Sequence, residues 1–220
     1  MILIPVKNLS GAKQRLASLL DQASRTELAQ AMLLDVLSTL HEWKACSSVA
    51  LVTSDAYAVG LAHKFGFDVI SDPDNAGETA AIEMATRICI EAGSDSTLVI
   101  PADIPLIEAW ELETIFRHAP EAGSVLVPAG DGRGTNAAYR RPADLFPLRF
   151  GNDSFKPHHA AAQATGKPCV VLQLPGIAID VDNPADLQQL MDARGETESQ
   201  RLLRRWDLDD RLQATGSDAL

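Results

Sequence analysis

Residues 97–105 read Thr-Leu-Val-Ile-Pro-Ala-Asp-Ile-Pro, an apolar run that ends in a single carboxylate, Asp103. In an open α/β sheet, ligands bind at the carboxyl ends of the strands, so this pattern places Asp103 where a site is expected. A carboxylate there suits Mg²⁺, which takes one or two carboxylates and completes its octahedron with water and substrate phosphates. Capping of the turn before the next helix is the structural alternative for Asp103.

Similar apolar runs, rich in Val, Ile and Leu, alternate with segments of helical periodicity along the chain. Strands are predicted over residues 1–6, 48–53, 68–70, 97–100 and 124–128, and further extended segments over 135–139, 168–172 and 176–179. Helices are predicted over residues 25–40, 56–65, 79–92, 109–118, 154–165 and 184–193, the first with Ser24 as its N-cap. The alternation predicts a single-domain α/β fold with a mainly parallel sheet flanked by helices.

The composition excludes several classes of protein. The 220 residues are 46% hydrophobic and carry a net charge of −11, which suits one domain with a real core and disfavours nucleic acid as a partner. The apolar start is too short for a secretory signal, and no run is long enough to span a bilayer, so we expect a cytoplasmic protein without a membrane partner. The odd, widely spaced cysteines indicate neither a disulfide framework nor a zinc site: Cys46, Cys89 and Cys169.

Two stretches differ in character from the rest. Glycines and prolines interrupt residues 130–160, where an inserted region is predicted within a domain of residues 1–193. Residues 194–220 mix charges with apolar side chains around Trp206, which predicts a helix docked on the domain and a frayed end. Self-association through Trp206 is the alternative, so we expect a monomer or a homodimer.

The first twenty residues are basic although the protein is acidic, because Lys7, Lys13 and Arg15 precede the first acid, Asp21. A loop between a first strand and a helix offers backbone N–H groups and lysine charges to an anion. A solvated basic loop is the alternative. The P-loop pattern GxxxxGK[ST] is absent from the sequence, which excludes that class of nucleotide site as a motif-based interpretation.

A pair of acids precedes the last predicted helix of the domain. Asp180 and Asp182 are two residues apart on an extended segment, so their side chains point the same way, and two such charges favour a cation between them. Asp182 could instead cap the helix that begins at Pro184, and we expect at least one of the two acids to do so. Together with Asp103 they form a candidate metal set.

The inserted region is locally basic, with five Lys or Arg against three Asp in residues 131–159. Glycine, hydroxyl and amide donors suited to an anion occur in Gly134-Thr135-Asn136 and around Ser154, where a helix begins. Ordinary turn and cap chemistry would explain the same residues. His158 and His159 diverge on a helix, so we expect surface or hydrogen-bonding roles rather than a shared zinc ion.

Taken together, these segments resemble the CofC/FbiD family of guanylyltransferases, from residue 2 to about residue 190. The resemblance implies a glycosyltransferase-A-like, Rossmann-like nucleotidyltransferase fold and a role in coenzyme F-420 biosynthesis. It rests on Ile4-Pro5-Val6-Lys7, residues 12–16 and 101–105, Gly134-Thr135-Asn136, Phe150-Gly151 with Ser154-Phe155, and Asp180-Val181-Asp182.

The activity that the resemblance implies is transfer of GMP from GTP to 2-phospho-L-lactate, phosphoenolpyruvate or 3-phospho-D-glycerate, with release of pyrophosphate. Residues 1–193 would be the nucleotidyltransferase domain, and residues 130–160 its acceptor-binding lobe. The implied catalytic residues are Lys7, Lys13 and Asp103. Nucleotide binding is implied for Lys13, Arg15, Thr53, Ser54, Asp72 and Thr79. Acceptor binding is implied for Lys7, Thr135, Gly151 and Ser154, and Mg²⁺ binding for Asp103, Asp180 and Asp182.

The sequence departs from the family pattern in two places. Residues 75–81 read Asn-Ala-Gly-Glu-Thr-Ala-Ala in place of a Gly-Leu-Asn-Ala-Ala-like run, and Asp153 adds an acid beside the acceptor residues. The alternatives are a molybdenum-cofactor or sugar-phosphate nucleotidylyltransferase, and a non-catalytic GTP-binding protein. The Gly-rich opening loop expected of those nucleotidylyltransferases is absent from this sequence. A non-catalytic GTP-binding protein would have no physical need for this arrangement of lysines and acids.

Overall fold

The computed structural model describes residues 1–43, 45, 48–151, 153–206 and 208. Its strands are β1 (Ile2–Pro5), β2 (Val49–Val52), β3 (Asp68–Ile70), β4 (Thr97–Val99), β5 (Gly123–Pro128), β6 (Thr135–Arg141) and β7 (Cys169–Val171). Its helices are α1 (Gln22–Glu42), α2 (Ala56–Phe65), α3 (Glu78–Glu91), α4 (Ala109–His118), α5 (Phe155–Ala164), α6 (Pro184–Asp192) and α7 (Glu198–Trp206). Two 3₁₀ turns, Leu9–Gly11 and Gln14–Leu16, connect β1 to α1.

In these residues the strands form one seven-stranded sheet in the order β3-β2-β1-β4-β6-β5-β7. Only β6 is antiparallel to its neighbours within the described chain, and the other pairings are parallel. The predicted α/β fold with a mainly parallel sheet is therefore confirmed.

Apolar side chains cover both faces of the sheet. Along β1, Ile2 and Ile4 pack into a core with α1, whereas Leu3 packs on the opposite face with α3, as the two-residue period of a strand requires. The buried stripe of α1 recurs at helical spacing: Leu28, Met32, Leu33, Val36, Leu37 and Leu40. Burial on both faces holds the central strands in place, so that the loops following them start from fixed positions.

Two local predictions are wrong. Asp21, not Ser24, caps α1, because its side chain accepts the main-chain N–H of Ser24 at 2.8 Å, and the helix begins three residues earlier than predicted. Residues 176–179 turn rather than form a strand. The buried carboxylate of Glu111 accepts the N–H of Gly176 at 2.7 Å. This bond takes the place of the strand pairing that the apolar residues of this segment predicted.

The expected capping role of Asp180 or Asp182 is also wrong. The Asn183 side chain caps α6 by accepting the N–H groups of Ala185 and Asp186. The Asp186 carboxylate in turn accepts the N–H groups of Asp182 and Asn183, both at 2.9 Å. This capping box satisfies the helix N-terminus and leaves both acids without a capping role.

The structure also shows where residues 130–160 and the described part of residues 194–220 lie. Residues 130–160 contribute β6 to the middle of the sheet and begin α5. Helix α7 packs on α1, where the Asp35 carboxylate accepts the N–H groups of Glu198 and Ser199. Residues 209–220 and Cys46 lie outside the described residues, while Cys89 is buried in the core and Cys169 is partly buried. Along the described part of the chain, every helix is too short or too polar to cross a membrane.

Candidate active site

The loops after β1 and β4 meet at the carboxyl end of the sheet. Strand β1 is followed in the sheet by β2 and β3 on one side and by β4 on the other, so the chain reverses its direction of winding between β1 and β4. Such a topological switch point opens a crevice in which α/β proteins bind ligands. The loop after β1 carries Lys7 and Lys13 to this crevice, and the loop after β4 carries Asp103.

Lys13 is the centre of the charged residues. Its backbone is left-handed, with φ of 54°, a conformation uncommon for a residue with a side chain and concentrated at functional sites. Its side chain is only 7% exposed, and Nζ lies 2.6 Å from Oδ2 of Asp103 and 2.9 Å from Oδ1 of Asp182. One ammonium group thus joins the loops after β1 and β4 to the segment before α6.

Burial and neighbouring charges shift the pKa values of Lys13, Asp180 and Asp182. Burial alone would lower the pKa of Lys13, but the adjacent carboxylates of Asp103 and Asp182 outweigh it and raise that pKa. Burial acts to raise the pKa of Asp182, yet Lys13 and Arg15 hold it below its usual value. Burial raises the pKa of Asp180, and the negative charge of Asp103 raises it further. At neutral pH Lys13 is therefore an ammonium ion and Asp182 a carboxylate.

A β-bulge in β6 directs the side chains of Thr135 and Asn136 to opposite faces of the sheet. The pairing with β5 shifts between Val127 and Pro128, which leaves Asn136 as an extra residue in β6. Asn136 Nδ2 donates to Asp180 Oδ1 at 2.9 Å, whereas the neighbouring Thr135 faces α5. The bulge thereby links the acids before α6 to the hydroxyl groups predicted to bind the acceptor.

A cavity of about 570 Å³ opens beside Lys13. Lys7 is exposed at its edge and makes no hydrogen bond or ion pair with any described residue, so its charge is available to a ligand. The charged side chains that line this cavity, which we call the charged crevice, are Lys7, Lys13, Glu78, Asp103 and Asp182.

Glu78 is a member of the charged crevice that the sequence analysis missed. It is the first residue of α3, after Gly77, whose φ of 111° favours glycine. Burial, with the negative charge of Asp103, raises the pKa of Glu78 to about 7, while Lys7 acts in the opposite direction. A carboxyl that is half protonated at neutral pH presents less negative charge to an incoming phosphate. The only signal in the sequence was the departure of residues 75–81 from the family pattern.

A second cavity, of about 400 Å³, shares Asp182 with the first. Gly151 lines it with φ of 137°, a conformation that favours glycine. The added acid Asp153 forms an ion pair with Arg133, whose Nη2 donates to Oδ2 at 3.2 Å, so the negative charge beside the predicted anion site is compensated. Arg15 and Asp180 also line this cavity.

Thr135 and Ser154 directly follow Gly134 and Asp153, which line this second cavity, but neither is itself among the described lining residues. With His158 they form three hydrogen-bonded side chains that we call the hydroxyl network. Ser154 Oγ donates to Thr135 Oγ1 at 3.3 Å, and His158 Nδ1 lies 2.9 Å from the same oxygen. All three residues are buried. His158 is therefore a hydrogen-bonding residue and not a surface residue. The signal for it was its position four residues after Ser154, which puts both on one face of a helix.

The residues predicted to bind the nucleoside lie beside these cavities rather than in their walls. Thr53 and Asp72 follow β2 and β3, and the N–H of Asp72 donates to the carbonyl of Thr53. Ser54 is exposed, and Thr79 Oγ1 accepts the N–H of Phe150 at 2.9 Å. Among the described residues that line the two cavities, none of these four occurs, so their contact with a nucleotide stays a prediction.

The acids fit Mg²⁺ as an open set of ligands and not as a closed cage. No group of three His, Cys, Asp or Glu side chains in the described residues has the geometry of a metal site. Between Asp103 and Asp182 lies the ammonium group of Lys13. Oδ1 of Asp103 accepts no hydrogen bond from a described residue, whereas the Asp180 carboxylate accepts from Asn136 and from its own main-chain N–H. Open carboxylate oxygens suit Mg²⁺, which keeps most of its positions for water and phosphate.

Solved structures of other proteins have the same fold. The chain superposes over 97% of its length on 96% of a protein described as a nucleotide-diphospho-sugar transferase from Desulfovibrio desulfuricans G20, with a TM-score of 0.77 and 18% identity. It also matches 4-diphosphocytidyl-2C-methyl-D-erythritol synthase over 86% of this chain and 95% of that one, with a TM-score of 0.59 and 16% identity. The chain therefore shares its fold with these two proteins.

Sequence relatives define the family of this chain. The family described as guanylyl transferase CofC like matches residues 1–219, and the chain belongs to this family. A phosphoenolpyruvate guanylyltransferase of Sphaerobacter thermophilus is 35% identical over 85% of this chain and 90% of its own length. A 3-phospho-D-glycerate guanylyltransferase of Colwellia psychrerythraea is 32% identical over 86% and 90% of the two chains. A 2-phospho-L-lactate guanylyltransferase of Methanothermobacter thermautotrophicus is 30% identical over 86% and 82%.

Proposed function

We propose that this protein transfers GMP from GTP to a small phosphorylated three-carbon acid and releases pyrophosphate. The observation that carries the proposal is that two cavities meet at Asp182, one beside the lysines of the charged crevice and one beside the hydroxyl network. A transfer between two anionic substrates needs two such neighbouring sites. The three acceptors named for the relatives share a carboxylate and a phosphate, which is the chemical class that we propose here.

The reaction forms one bond and breaks one. An oxygen of the acceptor phosphate attacks the α-phosphorus of GTP, and the bond from that phosphorus to the bridging oxygen of pyrophosphate breaks. The attacking oxygen is already ionised at neutral pH, so no side chain has to remove a proton. The main task of the protein is to bring two anions together and to align the attacking and leaving oxygens.

The charged crevice is suited to the triphosphate. Lys7 is exposed and unpaired among the described residues, so it can follow a phosphate oxygen. Lys13 is fixed by two carboxylates, so its charge is already in position before the substrate binds. Preorganised charge costs no rearrangement during the reaction. Arg15, which is largely exposed beside Asp182, can reach either cavity.

Mg²⁺ is part of this proposal. Asp103, Asp180 and Asp182 would supply its carboxylate ligands, and the ion would neutralise phosphate charge and help to align the reacting oxygens. The acceptor would bind at the second cavity through Thr135, Gly151 and Ser154. We further propose that the product enters coenzyme F-420 biosynthesis, as the family implies, and that the protein works in the cytoplasm, where GTP is available.

The test is pyrophosphate release from GTP and Mg²⁺ with each of the three acceptors supplied separately. ATP and CTP serve as controls for the base, and omission of the acceptor as the control for hydrolysis. Release that depends on GTP and on one acceptor supports the proposal and identifies the substrate. Release with no acceptor, or none with all three, would overturn it.

A further inference from the structure

His158 connects separate parts of the proposed acceptor site. The residue is 1% exposed, and its ring bonds on both sides. Nδ1 lies 2.9 Å from Thr135 Oγ1, and Nε2 accepts the main-chain N–H of Arg149 at 2.7 Å. The Phe150 ring lies edge-on to the imidazole, with 5.2 Å between ring centroids. One side chain thus ties β6 to the loop that leads into Gly151.

The bond from Arg149 determines where the ring proton lies. A main-chain N–H can only donate, so Nε2 of His158 must carry a lone pair. The proton of the neutral ring is therefore on Nδ1, and Nδ1–H donates to Thr135 Oγ1. Ser154 Oγ donates to the same oxygen. Both lone pairs of the Thr135 hydroxyl are thus occupied, and its own proton is donated to no described residue.

We propose that His158 is a positioning residue that makes the Thr135 hydroxyl a pure hydrogen-bond donor toward the acceptor. This inference rests on the proposed function, since it takes the hydroxyl network to be the acceptor site. A hydroxyl that can donate but not accept selects an oxygen without a proton, such as that of a carboxylate or a phosphate. It rejects an amine or a hydroxyl that needs an acceptor. His158 thereby contributes to specificity without touching the substrate.

Two isosteric variants separate the two bonds of the ring. In His158→Asn the amide N–H can occupy the position of Nδ1, which keeps the donor to Thr135. In His158→Gln the amide oxygen can occupy the position of Nε2, which keeps the acceptor for Arg149 and loses the donor to Thr135. The control is His159→Gln, because His159 stacks on Phe155 on the next position of the helix.

We expect His158→Gln to raise the KM for the acceptor about tenfold, with kcat and the KM for GTP within about twofold of the wild type, since the Thr135 hydroxyl is then free to turn its proton away from the acceptor. His158→Asn should restore the KM for the acceptor to within about threefold. An unchanged acceptor KM in His158→Gln would overturn the inference. So would an equal rise in both KM values, which indicates a general structural role.

The wild-type protein offers a second test that requires no variant. Nitrogen-15 NMR of the histidine rings should find His158 protonated at Nδ1 and bare at Nε2 at pH 7. The opposite tautomer would overturn the inference even if His158→Gln failed to fold. Wild-type protein that releases no pyrophosphate with any acceptor refutes the proposed function, and with it the acceptor role of Thr135. Turnover in the wild type combined with the wrong tautomer refutes the role of His158 alone.

Discussion

The charged crevice and the hydroxyl network are both suited to anions, but they hold their donors in place by different means. In the charged crevice, Lys13 is fixed by full charges on Asp103 and Asp182. In the hydroxyl network, Thr135 is fixed by neutral hydrogen bonds from Ser154 and His158. Coulombic attraction falls off slowly with distance, whereas a hydrogen bond weakens steeply with angle. The first region can therefore neutralise a phosphate in several positions, and the second can discriminate one substrate group from another.

The largest effect is expected from Asp103→Ala in the charged crevice. Loss of this carboxylate removes a proposed Mg²⁺ ligand and one of the two partners of Lys13, so turnover should fall at least about 10³-fold while the fold is kept. Pyrophosphate release across a Mg²⁺ titration measures turnover, and thermal unfolding shows whether the fold is kept. Asp95→Asn, on the exposed pair with Arg141, is the matched control. Undiminished Mg²⁺-dependent turnover would exclude Asp103 from the metal site.

Lys13→Met should lower kcat/KM by about 10² to 10³, because it removes a preorganised charge from the charged crevice. It also leaves Asp103 and Asp182 without the ammonium between them, so stability should fall as well. The control is Lys64→Met, which changes an exposed lysine of α2. Activity within about tenfold of the wild type would contradict the central role of Lys13.

The hydroxyl network should reveal itself in the pH dependence of stability. Burial, reinforced by the positive charge of Arg140, lowers the pKa of His158 from 6.5 to about 4. Between these pH values the unfolded chain binds a proton that the folded protein does not, so the free energy of unfolding falls as pH falls from 6.5 toward 4. The full contribution is about 3 kcal/mol, at about 1.4 kcal/mol for each pH unit.

Urea denaturation of the wild type and of His158→Asn at several pH values isolates this contribution. The wild type should lose stability relative to the variant over that range, since the variant has no ring to protonate. A difference between the two proteins that is constant from pH 7 to pH 4 would show that His158 titrates normally.

The smallest effect is expected from Ser154→Ala. It removes one of the two donors that orient the Thr135 hydroxyl in the proposed acceptor site, so the KM for the acceptor should rise about tenfold, as for the loss of one hydrogen bond. The KM for GTP should not change. Steady-state kinetics with each substrate varied in turn measures both, and an equal loss for the two substrates would place Ser154 elsewhere.

The same contrast separates what the sequence could reveal from what it could not. The strand that leads to Asp103, the stripe of α1 and the acids before α6 follow from spacing and periodicity, because periodic burial of side chains imposes those patterns locally. The bulge at Asn136 depends on the register between β5 and β6, which no local pattern specifies. That bulge is what turns Thr135 toward His158.

The wrong predictions have a related cause. The residue types allow the predicted roles, which were helix capping for Ser24 and Asp182 and strand formation for residues 176–179. In each case another residue determines the observed structure. Asp21 and Asn183 cap the two helices, and Glu111 holds residues 176–179 in a turn through a contact 65 residues distant in sequence. The two caps are local choices between equally suitable residues, whereas the turn at residues 176–179 is decided by a tertiary contact.

The most direct test of the account is one competition reaction. Wild-type protein is incubated with GTP, Mg²⁺ and an equimolar mixture of 2-phospho-L-lactate, phosphoenolpyruvate and 3-phospho-D-glycerate, and the products are resolved by mass spectrometry. The account predicts a GMP adduct joined through the acceptor phosphate, formed in equal amount to pyrophosphate and dominated by one acceptor. GTP left intact, or pyrophosphate without an adduct, would contradict it.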